Sequence, residues 1–136
     1  MNIKEKELAE IVADYSISIK AGELVIIDTD GPDESICRAL MAEIQRRGAG
    51  VHIIPRNYGA IRRMLNYATD WQIELWRDSE KMLIQKADAY ILLNGSENAR
   101  ELSGVLPDKM SSYMNLYRKP LAAVRERKKW LVMRMP

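Results

Sequence analysis

Four short apolar runs, separated by stretches with helical spacing, are the feature that most constrains the fold of this chain. The runs cover residues 24–27, 51–54, 89–93 and 130–133. Strands that are apolar throughout are typical of parallel sheets, whose neighbouring strands are joined by helical crossovers. This order predicts an α/β fold of the Rossmann or flavodoxin type: a single three-layer domain over 1–136, with a mainly parallel sheet of about four strands and helices on both faces.

The intervening stretches carry apolar residues at i, i+3, i+4 and i+7, which predicts amphipathic helices. The first helix is predicted to begin near Asn2 and to bury Leu8, Ile11, Val12, Tyr15 and Ile19. Asp30 is predicted to cap the second helix, with Pro32 as its first residue. Later helices are predicted over 58–67, from Thr69 or Asp70 onward, and around Met110. In the second of these we expect packing through Trp71, Leu75, Met82 and Leu83, and we expect Pro120 to interrupt the last.

Composition narrows the function classes. The chain has one cysteine, Cys37, so it cannot form an internal disulfide. It also has no apolar run of the roughly 20 residues that span a bilayer and no signal-peptide core near its N-terminus. We therefore expect a cytoplasmic protein without a membrane partner. Residues 1–108 carry a net charge of −5 and residues 109–136 a net charge of +7. Such a split is compatible with a nucleic-acid tail or with a tail that meets an acidic neighbour. The basic run 125–129 lacks interleaved aromatic residues, so we expect no nucleic-acid partner, and an interaction module that touches nucleic acid through 125–129 is kept as an alternative.

Two aspartates at the end of the first strand suggest hydrolytic chemistry. Asp28-Thr29-Asp30-Gly31-Pro32 resembles the acidic signatures of haloacid-dehalogenase-type phosphatases and of nucleoside hydrolases. Paired carboxylates suit hard cations, so Asp28 and Asp30 form an alternative acidic site for a small phosphohydrolase or nucleosidase. Glycine and proline are reversed relative to the second signature. We favour the structural interpretation, in which these residues only begin a helix, because a short motif alone is weak evidence of function.

The polar loop after the third apolar run is a second candidate site. It lies where open parallel sheets bind ligands, at the carboxyl end of a strand, and Asn94, Ser96, Glu97 and Asn98 could face a ligand or partner. With His52 as its one histidine, the chain lacks the ligand set of a zinc or cobalt site. We therefore expect no metal ligand or cofactor within this chain, and a non-enzymatic α/β interaction module remains an alternative.

Several segments in order resemble the thermophilic metallo-aminopeptidases of the aminopeptidase T and leucyl aminopeptidase type. An apolar helix ends in Asp14-Tyr15-Ser16 and is followed by the turn Lys20-Ala21-Gly22-Glu23. The likeness continues through "LMAEIQRRGAGVHI" at 40–53, "ADAYILLNGSENARELSGVLPDKM" at 87–110 and "YRKPLAAVRERKKWLVMRMP" at 117–136. No single segment is a strong motif, and the resemblance rests on their order over nearly the whole chain.

The resemblance implies that the chain is the N-terminal, non-catalytic domain of an enzyme about three times longer. Family members remove N-terminal residues from peptides with two divalent ions, zinc or cobalt, held in a C-terminal catalytic domain, and they form homodimers. Pro136 coincides with the junction between the two domains, so no catalytic or metal-binding residue of the family corresponds to a position here. The isolated chain is accordingly expected to be inactive.

Overall fold

The computed structural model describes residues 2–94 and 102–135, which include a sheet of four parallel strands. The strands are β1 (Leu24–Thr29), β2 (Gly50–Pro55), β3 (Ala89–Leu93) and β4 (Lys129–Met133), in the spatial order β2-β1-β3-β4. The register pairs Val25 of β1 with Val51 and Ala89 on either side. The predicted α/β class and the parallel sheet are therefore confirmed.

The chain divides into two compact units. The first consists of the described residues of Met1–Arg56, Ala87–Gly95 and Lys128–Pro136, and it contains the whole sheet. The second consists of the described residues of Asn57–Lys86 and Ser96–Arg127, and it is helical. In the described parts of the chain, no helix has the length and apolarity that a membrane crossing requires.

The first unit has an apolar core between the sheet and two helices, α1 (Ile3–Ile11) and α2 (Ser35–Arg46). Val25 and Ile27 alternate with Ile26 along β1, so they point to the helical side and pack there with Ile91 of β3. On α2, Ile36, Leu40 and Ile44 are buried and Met41 is half-buried, as expected for one of the predicted amphipathic helices.

The predicted apolar face of the first helix is only partly right. Asn2 does begin the helix, since its side chain accepts a hydrogen bond from the Lys4 amide at 2.7 Å. However, α1 passes into a π-helical turn, Val12–Ser16, in which the Ile17 amide donates to the Val12 carbonyl. One extra residue in a turn rotates the next residues about the helix axis, so an α-helical wheel no longer gives the buried side. Tyr15, within the turn, is exposed, contrary to the prediction. Ile11 is exposed as well, although it precedes the turn.

The predicted start of the second helix is wrong. The helix α2 begins at Ser35 and not at Pro32, and Glu34 in an extended conformation precedes it. Pro32 and Asp33 form a turn, and Asp30 lies four residues before Glu34, too far to cap the helix. The hydroxyl of Ser35 instead donates to the Glu5 carboxylate at 2.7 Å, which ties the beginning of α2 to α1.

The second unit contains α3 (Tyr58–Tyr67), α4 (Asp70–Lys86), α5 (Pro107–Tyr113), a π-helical turn (Met114–Arg118) and α6 (Lys119–Arg125). The predicted bounds of α3 and the predicted start of α4 are confirmed, and Thr69 accepts the Gln72 amide at the start of α4. Pro120 does not interrupt the last helix. It lacks the N–H that the Leu116 carbonyl would accept, and Arg77 donates to that carbonyl at 3.4 Å instead.

The predicted packing residues of α4 were largely wrong. Trp71, Leu75 and Met82 are 71%, 54% and 54% exposed, and the buried residues are Ile73, Glu80 and Ile84. Trp76 stacks on Tyr117 with ring centroids 3.7 Å apart, and Tyr113 extends the stack. The buried Glu80 carboxylate accepts hydrogen bonds from the Trp76 indole and the Tyr117 hydroxyl. An aromatic and acidic network therefore holds this helix on its inner side.

Candidate functional site

Asp28, the first residue of the acidic motif, is held by two side chains from other parts of the first unit. It is 4% exposed and lies in β1, on the sheet face opposite Val25 and Ile27. The Arg56 guanidinium makes a two-pronged contact, with Nε donating to Oδ1 at 2.9 Å and Nη2 to Oδ2 at 2.8 Å. The Tyr90 hydroxyl donates to Oδ2 as well. This is a buried, hydrogen-bonded ion pair.

Such surroundings oppose the hydrolase chemistry that the motif suggested. A cation at Asp28 would meet the positive charge of Arg56, and a nucleophilic attack would require the carboxylate to leave its donors. Asp30, the second residue of the motif, follows β1 in a bend and is half-buried. The geometry therefore gives Asp28 a structural role and provides no support for the alternative acidic site.

Asn94 connects three chain segments at the carboxyl edge of the sheet. It has a left-handed backbone, with φ at +62°, which asparagine tolerates better than most residues. Its side-chain oxygen accepts the Met135 amide at 2.8 Å, and its side-chain nitrogen donates to Glu34 at 2.9 Å. Its backbone amide donates to Met133 at 2.7 Å. Asn94 thus fixes the ends of β3 and β4 relative to the loop after β1.

The other three residues of the predicted loop site, Ser96, Glu97 and Asn98, lie outside the described residues. The described end of the loop belongs to the second unit, where Leu102 and Val105 are buried and the Leu106 amide donates to the Asn66 side chain at 2.8 Å. Of the four residues predicted to face a ligand, Asn94 is described, and its amide group is engaged within the protein.

The described residues do not fit a metal centre. Across 2–94 and 102–135, no three histidine, cysteine or acidic side chains are grouped so that they could hold a metal ion. His52 is exposed on β2, and Cys37 is fully buried in α2. A catalytic metal site needs several such ligands within about 2.3 Å of one ion. The described part of the chain therefore offers no set of ligands through which a metal could act.

Sequence reasoning missed Arg56 and Tyr90, which complete the environment of Asp28. Arg56 directly follows β2, and Tyr90 is the second residue of β3. They lie 28 and 62 residues from Asp28 along the chain, so no local spacing indicated the contact. The one available signal was positional: an arginine at the carboxyl end of a strand adjacent to β1 in a parallel sheet.

The reactivity of the buried Cys37 thiol measures how well the folded first unit protects its core from solvent. Burial raises the pKa of its thiol, and the negative charges of Glu34 and Asp33 raise it further. Because the thiolate is the reactive form, we expect the thiol-specific reagent DTNB to modify native Cys37 at least about 100-fold more slowly than in the urea-unfolded chain. Equal rates in the two states would contradict the buried position of this thiol.

The raised pKa of Cys37 also makes the free energy of unfolding depend on pH. The folded state holds the thiol proton more tightly than the unfolded state does, because the folded pKa is the higher one. The stability due to Cys37 is therefore present below the ordinary thiol pKa of 9.0 and is lost as the pH rises above it. A Cys37→Ala variant should lack this part of the alkaline decline in the free energy of unfolding.

Comparison with known proteins gives a family match and a structural match. The model of the family described as thermophilic metalloprotease (M29) matches residues 1–136. Among solved structures, the chain is similar to wild-type AmpT from Thermus thermophilus, with a TM-score of 0.73 and 18% sequence identity. The match covers 97% of this chain and 36% of AmpT, so this chain spans about a third of that protein's length. No curated protein sequence matches the chain.

Proposed function

Because the chain belongs to the thermophilic metalloprotease (M29) family, we propose that it is the N-terminal, non-catalytic α/β domain of a dinuclear metal-dependent aminopeptidase. The family match over residues 1–136 carries this proposal. The likeness to AmpT supports the same fold, and its coverage of 36% of AmpT agrees with one domain of a longer enzyme. The complete enzyme removes N-terminal residues from peptides.

In this proposal the catalytic chemistry belongs to polypeptide beyond the domain. Two divalent ions, zinc or cobalt, supply the activated water in the complete enzyme. The described residues lack a matching ligand set, since no three of their histidine, cysteine and acidic side chains are grouped so that they could hold an ion. The domain instead supplies a rigid parallel sheet that shapes access to the active site, and the complete enzyme acts as a cytoplasmic homodimer.

The isolated chain should therefore be inactive. We expect the purified 136-residue protein to show no hydrolysis of leucyl-p-nitroanilide above the buffer rate, with or without added Co²⁺ or Zn²⁺. An authentic aminopeptidase T in the same assay is the positive control. After dialysis against Co²⁺, elemental analysis should find well under one ion per chain, because no set of described side chains can hold one.

Metal-dependent hydrolysis that accompanies the 136-residue protein through successive purification steps would overturn this proposal. Phosphatase or nucleosidase turnover that is lost in an Asp28→Asn variant would overturn it in favour of the acidic site. Because Asp28 is already engaged by Arg56 and Tyr90, we expect neither activity.

A further inference from the structure

The strand β4 forms one edge of the sheet in the first unit. It pairs with β3, and among the described residues no strand pairs with its other side, the outer edge. The Met133 carbonyl accepts the Asn94 amide, so the backbone groups of Met133 point toward β3. Because successive residues of a strand direct these groups to alternate sides, Trp130 and Val132 direct theirs toward the outer edge. The outer edge therefore has the backbone geometry that an added strand requires.

Two apolar side chains of β4 are accessible to solvent. Trp130 is 46% exposed and Val132 is 36% exposed, and they lie on the same face of the strand because they are two residues apart. Leu131 and Met133, on the other face, pack in the core of the first unit. The opposite edge strand, β2, has no exposed large apolar side chain. A strand added at β4 would therefore cover apolar surface as well as pair with the backbone.

Exposed cations at both ends of β4 indicate the nature of the partner. Lys129 is the first residue of the strand, and Arg134 follows its last residue, about 16 Å away. Neither forms an ion pair with another described residue, and Asp88, directly before β3, accepts the Leu24 amide at 2.9 Å instead. Cations at a sheet edge oppose pairing with a second copy of the same strand, in either direction, because like charges meet. An acidic segment would meet opposite charges.

We propose that the outer edge of β4 is a docking site for an extended peptide segment that alternates acidic and apolar residues and adds to the sheet beside β4. Strand addition obtains affinity from main-chain hydrogen bonds and specificity from alternate side chains. The apolar side chains of the segment cover Trp130 and Val132, and acidic residues at its ends lie near Lys129 and Arg134. The inference goes beyond the proposed function and holds whether or not that function does.

Fluorescence anisotropy of a labelled peptide tests this proposal on the purified 136-residue chain. The probe is a fluorescein-labelled peptide of sequence Glu-Val-Glu-Val-Glu-Val-Glu, and we expect its binding to saturate below about 1 mM. In the charge control, lysine replaces every glutamate. In the strand control, proline replaces every valine, which keeps the charge and removes backbone donors. We expect each control peptide to bind at least about 10-fold more weakly than the probe.

Substitutions in and beside β4 locate the site. Val132→Pro removes an N–H that points away from β3, so the sheet keeps its own hydrogen bonds while the added strand loses one, and binding should weaken at least about 10-fold. Lys129→Glu combined with Arg134→Glu should exclude the glutamate peptide and bind the lysine peptide instead. Lys4→Glu combined with Lys6→Glu is the matched control, with the same change in net charge at exposed lysines of α1, and it should leave the Kd unchanged.

No binding of the glutamate peptide at 1 mM would overturn the proposal. Equal binding of the proline peptide would also overturn it, because the cations would then attract any polyanion without strand pairing. Binding that survives the double charge reversal would place the peptide elsewhere on the protein and would contradict the site. Circular dichroism verifies that each variant is folded, and if Val132→Pro is not, the exchange of peptide preference decides the question. None of these results bears on the peptidase assay, so failure of this proposal and failure of the proposed function are distinguishable.

Discussion

Replacing Arg56 with alanine should lower the free energy of unfolding by about 3–5 kcal/mol, because it leaves the Asp28 carboxylate buried without its charged partner. Both side chains of the pair are nearly inaccessible to water, with 8% of Arg56 and 5% of Asp28 exposed. Water therefore cannot replace the two guanidinium hydrogen bonds. Urea unfolding followed by circular dichroism measures the loss, provided that the m-value matches the wild type.

Arg46→Ala is the matched control for this prediction. Arg46 also contacts a buried carboxylate, that of Glu43, but its own side chain is 59% exposed. Glu43 also forms an ion pair with a second arginine, Arg47, at 3.2 Å, and this pair remains in the variant. We expect a loss of under about 1 kcal/mol. Similar losses for Arg56→Ala and Arg46→Ala would contradict the buried ion pair.

A second substitution separates the charge of Asp28 from the packing of Arg56. Adding Asp28→Asn to Arg56→Ala removes the uncompensated charge and leaves a neutral group of nearly the same shape. The double variant should recover part of the stability lost in Arg56→Ala, since an unpaired buried charge costs more than an unpaired buried amide. No recovery would mean that Arg56 acts through packing alone.

The strands were predictable because their signal is local. The run at 89–93 coincides with β3, since a strand buried on both faces is apolar throughout. At β1 the prediction stopped two residues early, because Asp28 and Thr29 are polar and still lie in the strand, both buried. Asp28 is tolerated there only because Arg56 and Tyr90 reach it from distant parts of the sequence. A contact between distant residues leaves no trace in the spacing of either segment.

For the helices, the prediction was limited because the spacing of apolar residues does not always identify the buried face. On α4 the apolar residues lie on opposite sides, so the spacing of Trp71, Leu75 and Met82 indicated a face as convincing as the buried one. The buried face includes an acidic residue, Glu80, and an acidic residue makes a helix face look exposed when only the spacing of apolar residues is considered. Near Tyr15, a π-helical turn shifts the phase of the helical wheel, and no residue type in the sequence indicates such a turn.

The sequence predicted where the candidate site residues lie better than it predicted what they do. Asn94 does lie at the carboxyl edge of the sheet, where the order of strands placed it. Its amide group, however, contacts Glu34 and Met135 within the first unit. Asp28 likewise lies at the predicted strand end, but as an ion-pair partner. Topology can be inferred from the chain order, whereas the function of a polar side chain depends on donors that only the folded structure brings near.

The second large effect is expected at Tyr117, in the helical unit. Tyr117→Ala should cost about 3–5 kcal/mol, because it removes a buried ring stacked on Trp76 and leaves a cavity in its place. It also removes the hydroxyl that donates to the buried Glu80 carboxylate. Trp76 keeps its own hydrogen bond to Glu80 at 2.9 Å, so the carboxylate retains this donor. Urea unfolding monitored by tryptophan fluorescence measures the loss.

Two further substitutions resolve this loss into its causes. Tyr117→Phe retains the stacked ring and removes only the hydroxyl, so it should cost about 1–3 kcal/mol, the penalty for depriving a buried acceptor of a donor. Tyr67→Ala removes an equally large ring that is 76% exposed, and it should cost less than about 1 kcal/mol, including its contact with Arg63. If Tyr117→Phe were as damaging as Tyr117→Ala, the hydrogen bond to Glu80 and not the aromatic stack would hold α4 in place. If Tyr67→Ala were as damaging as either, burial would not be what distinguishes these two tyrosines.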